Sequence, residues 1–278
     1  MTNQVLEALA NGVAPWRKPW KGREHMPSNA VSKRTYNGIN LVLLSMAKFA
    51  DHRWMTYRQA TELGGSIRRG EKGSLVVFWK ILEPSKSTPE DSQSARHGIP
   101  LLRHYFVFNA EQVEGLSLSP LPSTSPQADR IEEADQLMRS MPNPPRIVEA
   151  GISAYYRPQG DVVVLPPLQQ FSSADHFYST AFHELGHATG HQSRLNRPGV
   201  AGPIAFGSSD YSREELVAEL TSAFLCAELG LDNSLIEDSA SYLSGWLDLL
   251  NHDKRAVMVA SSQARNACEY IKGSQAFS

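Results

Sequence analysis

The amino-acid sequence predicts an α+β protein of two domains. Short β-branched runs alternate with helical segments along the 278 residues. A Ser- and Pro-rich stretch at 116–126 interrupts this pattern. The charge also changes there: residues 1–115 carry 16 Lys and Arg against 10 Asp and Glu, whereas residues 116–278 carry 11 against 19. We expect a basic domain, a linker and an acidic domain, with boundaries at 1–115, 116–128 and 129–278.

Composition is typical of a globular protein, with 41% hydrophobic and 20% charged residues. No apolar run approaches the length needed to span a bilayer, and the first residues lack the pattern of a signal peptide. Cys226 and Cys268 lie far apart in apolar or helical surroundings, so we expect buried, reduced thiols. These features predict a cytoplasmic protein without a membrane partner.

In the first half, we expect three helices and one β-hairpin. The helices cover 5–11, 41–49 and 57–63, and glycines follow the first and the last of them. Two apolar runs rich in β-branched and aromatic residues, 75–82 and 101–108, are typical of antiparallel strands. The long polar insert between them predicts a hairpin with an extended tip.

The second half is predicted to form a small sheet edged by helices. β-branched or aromatic runs predict strands at 146–149, 155–156 and 161–165. Ser172 or Ser173 is the expected N-cap of the helix that follows, and Gly190 is its expected end. Helices are expected at 129–139, 174–190, 212–220, 240–252 and 254–270.

The segment His183-Glu184-Leu185-Gly186-His187 has the pattern H-E-x-x-H within an expected helix. Positions four residues apart lie on one helix face, so both imidazoles can reach the same ion. Neutral imidazole is a preferred ligand of Zn²⁺, and the glutamate after the first histidine is placed to take a proton from water. The pattern predicts metal-assisted hydrolysis, most often of a peptide bond, with Glu184 as the general base.

A catalytic zinc takes three protein ligands, so one more ligand is needed. His191 does not fit the metzincin pattern, which needs its histidine six residues after the second ligand, where Ser193 stands. Glu215-Leu-Val-Ala-Glu219 resembles the E-x-x-x-D arrangement of gluzincins, with one helical turn between the acids. We expect Glu215 to bind the metal and Glu219 to accept the free N–H of a ligand histidine.

Several features of the site are left open or secondary. Glu214 is rotated by about 100° from Glu215 on the helix and is expected to face solvent. Zn²⁺ is favoured by the ligand types, although His₂Glu sites also accept Mn²⁺ or Co²⁺. A donor to the oxyanion is also needed, and the sequence does not choose among its candidates. These are Tyr155, Tyr156, Tyr211, His191 and His252.

The basic half combines cations with flat side chains, including four of the five tryptophans. This combination suits single-stranded nucleic acid, because phosphates meet Lys and Arg while unstacked bases lie on aromatic faces. Trp54 and Trp79 have apolar neighbours and are expected in the core. The turn 70–73 either brings backbone amides close to a phosphate or is a plain hairpin turn. The expected DNA-binding residues are Trp16, Arg17, Lys18, Trp20, Lys21, Lys33, Arg34, Tyr36, Asn40, Arg68, Arg69 and Lys72.

Motifs in both halves occur together as in one known family. They include Ala14-Pro-Trp-Arg-Lys-Pro-Trp20, Arg34-Thr-Tyr-Asn-Gly-Ile-Asn40, Gly64-Gly-Ser-Ile-Arg-Arg-Gly-Glu-Lys-Gly73, Phe106-Val-Phe-Asn109, Phe182-His-Glu-Leu-Gly-His-Ala-Thr-Gly-His191 and Arg194-Leu-Asn-Arg197. On these motifs the chain resembles the ArdC-type antirestriction proteins of conjugative plasmids, over nearly its full length apart from 83–98 and the linker. The resemblance implies a single-stranded-DNA-binding domain shared with TraC-type primases, followed by a zincin-like metallopeptidase domain of gluzincin type.

The resemblance further implies a protein that protects incoming plasmid DNA from host restriction. Three classes of function remain open. In the first class, the protein binds DNA and cleaves a host protein or restriction enzyme. In the second, it is a DNA-binding antirestriction factor whose zinc domain is structural or only conditionally active. In the third, it is a metal-dependent nuclease. The nuclease is disfavoured, because nucleases typically use paired metals held by carboxylates.

Overall fold

The computed structural model describes residues 2–11, 14, 16, 26–47, 49, 51–82, 99–116, 118, 127–201, 208–233 and 239–273. In chain order the helices and strands are α1 (Thr2–Ala10), β1 (Ser28–Asn29), α2 (Ile39–Ser45), β2 (Arg53–Met55), α3 (Tyr57–Glu62), β3 (Ser66–Ile67), β4 (Ser74–Leu82), β5 (Ile99–Asn109), β6 (Val113–Glu114), α4 (Gln127–Ser140), β7 (Arg146–Glu149), β8 (Tyr155–Arg157), β9 (Val162–Leu165), α5 (Ala174–Thr189), α6 (Pro198–Ala201), α7 (Ser209–Leu229), α8 (Ser239–His252) and α9 (Ala256–Ile271). This mixture of helices and sheets confirms the α+β class.

Residue contacts divide the chain into two compact units. The larger unit comprises Met1–Pro27, Thr35–Met46 and Ser119–Ser278, and the smaller unit comprises Ser28–Arg34 and Ala47–Leu118. This division differs from the one expected along the sequence, because the N-terminal segments group with the C-terminal half. In the larger unit, α1 packs on α8 and α2 packs on α9. The boundaries 1–115, 116–128 and 129–278 therefore stay a prediction about sequence domains.

In the larger unit, helices accompany a three-stranded sheet. Its strand order is β7-β9-β8, with β7 parallel and β8 antiparallel to β9. The helix α7 contacts α5, α6, α8 and α9, and its residues from Glu214 to Ala227 are all buried. A helix buried on every side is a central element of a core rather than an amphipathic surface helix.

The smaller unit is built on a four-stranded sheet of order β1-β2-β5-β4, with a second sheet formed by β3 and β6. Its core contains Ala30, Met55, Ala60, Ala110 and Val113. The expected hairpin is confirmed, since β4 and β5 pair antiparallel. Its expected tip at 83–98 and most of the expected linker lie outside the described residues. The strands β1, β2, β3 and β6 were not expected, because two or three residues show no readable period.

Helix ends follow local capping chemistry. The Ser173 side chain accepts a hydrogen bond from the His176 N–H, and Gly190 is the C-cap of α5, as expected. The helix α7 is longer than expected: Ser208 caps its start, and Gly230 ends it in the left-handed conformation at φ 69°. Apolar residues continue along this helix well beyond position 220. None of the described helices is both long and apolar enough to cross a bilayer.

Gly186 permits the close approach of α5 and α7. A Cβ atom built on Gly186 would lie 3.0 Å from Ala218 Cα and 3.2 Å from Thr221 Cβ. Ala218 and Thr221 are both fully buried. These atoms belong to the backbone or to a short β-branched side chain, so they cannot rotate away.

We expect Gly186→Ala to lower the free energy of unfolding by about 1–2 kcal/mol, because overpacking outweighs the better helix propensity of alanine. Urea unfolding measures this change. Gly245→Ala in α8 is the matched control, since its Cβ would meet the rotatable Ser212 hydroxyl at 3.1 Å. Equal stability of the Gly186→Ala variant and the wild type would contradict a tight crossing.

Candidate metal centre

The helix α5 brings two imidazoles together, and α7 adds a carboxylate. The Nε2 atoms of His183 and His187 lie 3.2 Å apart. Glu215 Oε2 lies 3.4 Å from His183 Nε2, and Glu215 Oε1 lies 3.6 Å from His187 Nε2. Ligand atoms around a tetrahedral ion with bonds of about 2.1 Å stand roughly 3.4 Å apart. The three side chains therefore have the spacing of a shared metal site, and their ligand atoms all lie within 4.8 Å of one another.

Burial also makes this cluster suitable for a cation. Glu215 is 6% exposed, and its Oε2 atom has no hydrogen-bond partner among the residues that the structure describes. A buried carboxylate oxygen without a donor is unfavourable unless a positive charge compensates it. The His₂Glu donor set is one that zinc and similar divalent ions accept. The residues present thus fit a divalent metal.

Each histidine has a second carboxylate beside its other ring nitrogen. Glu219 Oε2 lies 3.7 Å from His183 Nδ1, and Glu214 Oε1 lies 3.5 Å from His187 Nδ1. A carboxylate in this place orients a ligand imidazole and raises its basicity. Glu219 lies where the sequence places it, and its role stays a prediction.

The expectation that Glu214 faces solvent is wrong. Glu214 is 6% exposed, because α7 is covered on all sides. The Arg197 guanidinium donates from Nη2 to Glu214 Oε1 at 2.6 Å and from Nε to Glu214 Oε2 at 3.0 Å. Arg197 also donates to the Thr189 hydroxyl and the Gly186 carbonyl on α5. Sequence spacing does not reveal this pairing, although Arg197 ends the Arg194-Leu-Asn-Arg197 motif.

The carboxylates favour positive charge between α5 and α7. Burial lowers the pKa of His183, but its contacts with Glu215 and Glu219 outweigh burial and raise that pKa to about 9. Burial raises the pKa of Glu215, yet the charge of His187 and the contact with His183 hold it far below its usual value. A divalent ion would supply the same positive charge in exchange for protons.

Glu184 lies at this centre without being one of the three clustered ligands. Glu184 is 7% exposed, and its negative charge helps to raise the pKa of both His183 and His187. A buried carboxylate beside two histidines with the spacing of metal ligands is placed for proton transfer from water in the site. Its role as general base stays a prediction.

Three oxyanion candidates have contacts of their own, including His191, whose Nδ1 lies 2.8 Å from the Ser193 hydroxyl. The Tyr156 hydroxyl donates to Asp161 Oδ1 at 2.9 Å. Burial is the larger cause of the raised pKa of Tyr156, and this hydrogen bond is the next. The Asp161 carboxylate is also bound by Arg194. The His252 side chain is 78% exposed and lies beside Asp248. The oxyanion donor stays a prediction.

Three of the expected DNA-binding residues, Trp16, Tyr36 and Asn40, are buried in this fold, and their role stays a prediction. Their side chains are buried in the larger unit, with exposures of 0%, 8% and 8%. Trp16 packs edge-on against Trp246, with ring centroids 5.4 Å apart. A tryptophan side chain removes a large apolar area from water when it is buried, and the apolar interior of the larger unit accommodates Trp16.

The other expected DNA-binding residues fall into two groups. Arg17, Lys18, Trp20 and Lys21 lie outside the described residues. The remaining cations are exposed in the smaller unit; they are Lys33, Arg34, Arg68, Arg69 and Lys72. Trp54 is 2% exposed, as expected for a core residue, and the two cysteines are buried free thiols, also as expected.

Two family profiles match the chain. Residues 1–108 match the N-terminal domain of the anti-restriction factor ArdC, and residues 132–263 match a zincin-like metallopeptidase. Crystal structures of the antirestriction ArdC protein from plasmid R388 are similar at 35% identity. The metal-free structure gives a TM-score of 0.77 over 98% of this chain and 94% of that one. The Mn(II)-bound structure gives 0.76 over 98% and 95%.

Relatives with curated sequences are similar as well. A DNA primase TraC of Escherichia coli is 37% identical over 98% of this chain, and a second is 36% identical over 98%. The chain spans 26% and 19% of the lengths of these primases. The uncharacterised protein y4eC of Sinorhizobium fredii is 35% identical over 99% of this chain and 91% of its own length.

Proposed function

This chain belongs to the ArdC antirestriction family, and on that premise we propose that it binds single-stranded DNA and protects incoming plasmid DNA from host restriction. We assign a divalent metal and a metallopeptidase-type activity to the centre formed by His183, His187 and Glu215. The observation that carries this proposal is the 3.2–3.6 Å spacing of those ligand atoms in a chain that is 35% identical to an ArdC protein along nearly its whole length. A cytoplasmic site of action is part of the proposal.

Each residue of the centre has its own role in the proposed hydrolysis. A divalent metal, when bound, polarises a carbonyl and lowers the pKa of water. Glu184 takes the proton of the attacking water and returns it to the leaving amine. Glu214 and Glu219 hold the imidazoles of His187 and His183 in place. The ligand types favour Zn²⁺, and the Mn(II)-bound relative supports the wider class of divalent ions.

The basic half supplies the proposed DNA contacts. Its exposed cations lie on the smaller unit, which suits the electrostatic attraction of a phosphate backbone. The relatives named DNA primase, which match this chain over 98% of its length, support a role with nucleic acid. The partner that we propose is single-stranded DNA.

A second candidate is a cytoplasmic metalloprotease that cleaves a host protein or restriction enzyme and uses DNA only for localisation. The buried, intact Glu184 beside the ligand histidines favours it. Conjugation of a plasmid into a restricting host separates the two functions. A Glu184→Gln variant that protects the plasmid as well as the wild type supports protection through DNA binding, whereas lost protection supports proteolysis.

Anisotropy titration of labelled single-stranded and duplex oligonucleotides tests the DNA part. We expect tighter binding of the single strand. We also expect affinity to fall steeply between about 50 and 200 mM salt, because each neutralised phosphate releases counterions. Absence of binding to either oligonucleotide would contradict the proposal and leave the metalloprotease.

A further inference from the structure

The β4–β5 hairpin of the smaller unit carries exposed aromatic side chains on both faces. Opposite residues in an antiparallel ladder share a face, and successive residues alternate. Leu75 therefore shares one face with Phe106, and Val77 shares it with His104. The opposite face carries Phe78, Tyr105 and Arg103, which follow from the same register. We call the first face, which carries the rings of His104 and Phe106, the Phe106 face.

Phe106 is the most exposed phenylalanine in the part of the chain that the structure describes, at 56%. Phenylalanine is among the residues most often buried, and a ring left open on a sheet face is available to stack on a flat ligand. The His104 ring lies beside it, with centroids 6.3 Å apart. Two flat side chains thus stand next to each other on one exposed face.

The basic turn at 68–73 approaches Phe106 closely at Gly73. A Cβ atom built on Gly73 would lie 3.0 Å from Phe106 Cβ and 3.3 Å from Phe108 Cζ. A Cβ at position 73 would make tighter contacts than usual with both side chains, so Gly73 favours the close approach of the 68–73 turn to the Phe106 face. Arg68, Arg69 and Lys72 are exposed on that turn.

The turn is held in place by the buried Gln112. The Gln112 side-chain amide donates to the Lys72 carbonyl at 3.0 Å and to Glu71 Oε2 at 2.9 Å. The Arg68 N–H donates to the Gln112 carbonyl at 3.0 Å. These bonds hold the backbone of the turn in one conformation before any ligand arrives, which limits the entropy lost on binding.

The charges of the turn favour an anionic ligand. Arg68 is paired with Glu71, with Nη2 and Oε1 3.2 Å apart. Arg69 and Lys72 leave the turn with a net positive charge. A polymer with one negative charge and one flat base per repeat matches an open ring beside two cations.

We propose that the Phe106 face and the 68–73 turn form the single-strand contact surface, with a base stacked on Phe106 and the adjoining phosphates at Arg69 and Lys72. This location rests on the proposed function, which requires that the chain bind single-stranded DNA. Bases of a duplex are stacked inside the helix, so an unpaired strand is the form whose bases reach the ring. The opposite face carries Phe78 and Tyr105. The 68–73 turn, in contrast, approaches the Phe106 face at Gly73, so the exposed cations of this turn lie on the side of Phe106.

Anisotropy titration of a labelled, mixed-sequence single-stranded oligonucleotide tests the location. Phe106→Leu keeps an apolar side chain but removes the flat ring, and we expect a roughly 5- to 150-fold loss of affinity from the lost stacking. Phe78→Leu on the opposite face is the matched control and should bind like the wild type. Thermal unfolding of both variants should match the wild type, since both rings are about half exposed.

The contribution of Arg69 and Lys72 is measured by the salt dependence of binding. For a double variant, Arg69→Ala with Lys72→Ala, the slope of log affinity against log salt should fall by about 1.4, because each lost phosphate contact on a single strand contributes about 0.7. Wild-type binding that Phe106→Leu leaves unchanged, or that Phe78→Leu weakens instead, would overturn the location while sparing the proposed function. A wild type that does not bind the oligonucleotide would overturn both.

Discussion

Replacing His183 and His187 together by alanine will abolish stoichiometric zinc binding, whereas Glu184→Gln will retain it. The two imidazoles supply two of three ligand atoms within 4.8 Å of one another, so the double variant leaves one carboxylate. A single carboxylate does not hold zinc against dialysis, because zinc sites in proteins need three or four protein ligands. Glu184 is outside that set, so its neutral amide leaves the ligands in place.

Metal content after dialysis against excess zinc and then buffer measures this difference. The wild type and Glu184→Gln should each keep one ion per chain, and the double variant none. Zinc added at about 1,000 times its dissociation constant should stabilise the wild type by about 4 kcal/mol and leave the double variant unchanged. Stoichiometric zinc in the double variant would disprove the ligand assignment.

Hydrolysis separates Glu184 from the ligands. With casein as a general protein substrate, Glu184→Gln should lose roughly 10²–10⁴-fold of any wild-type rate, which is the usual contribution of a positioned base. Its metal content should stay at one ion per chain. A full rate in this variant would leave proton transfer to another group.

Arg197→Met will lower the free energy of unfolding by about 3–5 kcal/mol, the usual effect of removing one partner of a buried ion pair. Arg197 and Glu214 have side-chain exposures of only 5% and 8%. Without the guanidinium, the Glu214 carboxylate stays buried beside His187 with its two strong donors gone. Chemical denaturation at neutral pH without added metal measures the change.

A double-mutant cycle identifies the cause. Glu214→Gln added to Arg197→Met removes the uncompensated charge and should recover part of the lost stability. Arg213→Ala is the control, because its side chain is 35% exposed and its partners Asp210 and Asp253 are 70% and 42% exposed, so we expect a change within about 0.5 kcal/mol. A loss as small as that of Arg213→Ala would contradict a buried ion pair.

Metal affinity gives a second readout of Arg197. The guanidinium holds Glu214, and Glu214 lies 3.5 Å from the ring nitrogen of His187 that faces away from Glu215. Removing a group that orients a ligand through such a chain typically weakens metal binding by about 10–100-fold. Arg197→Lys keeps the charge but cannot bind both Glu214 oxygens at once. The metal affinity of this variant should therefore lie between that of the wild type and that of Arg197→Met.

The H-E-x-x-H ligand pair was readable from the sequence because its geometry is local. Four residues make about one helical turn, so the spacing of His183 and His187 already places both rings on one face. The caps of α5 and the antiparallel hairpin were readable for the same reason. The prediction for Glu215 depended on a comparison of its spacing with the E-x-x-x-D arrangement of gluzincins. The structure brings Glu215 Oε2 to 3.4 Å from His183 Nε2.

Other features depend on surfaces that meet only in the folded chain. Helix rotation alone turned Glu214 towards solvent, but neighbouring helices cover every side of α7 and place Arg197 on that carboxylate. A polar neighbourhood suggested an exposed Trp16, yet a partner more than two hundred positions away buries it. Strand alternation assigns Phe106 to a face but does not reveal that this face stays open.

The sequence by itself therefore determined the α+β class, the placement of His183 and His187 on one helix face, and the basic character of the first half. Tertiary structure decided which carboxylates and aromatic rings are covered and which remain exposed. The physical reason is that period and capping depend on residues within a few positions of one another. Burial depends on which distant segment packs against each face, and that follows from the fold as a whole.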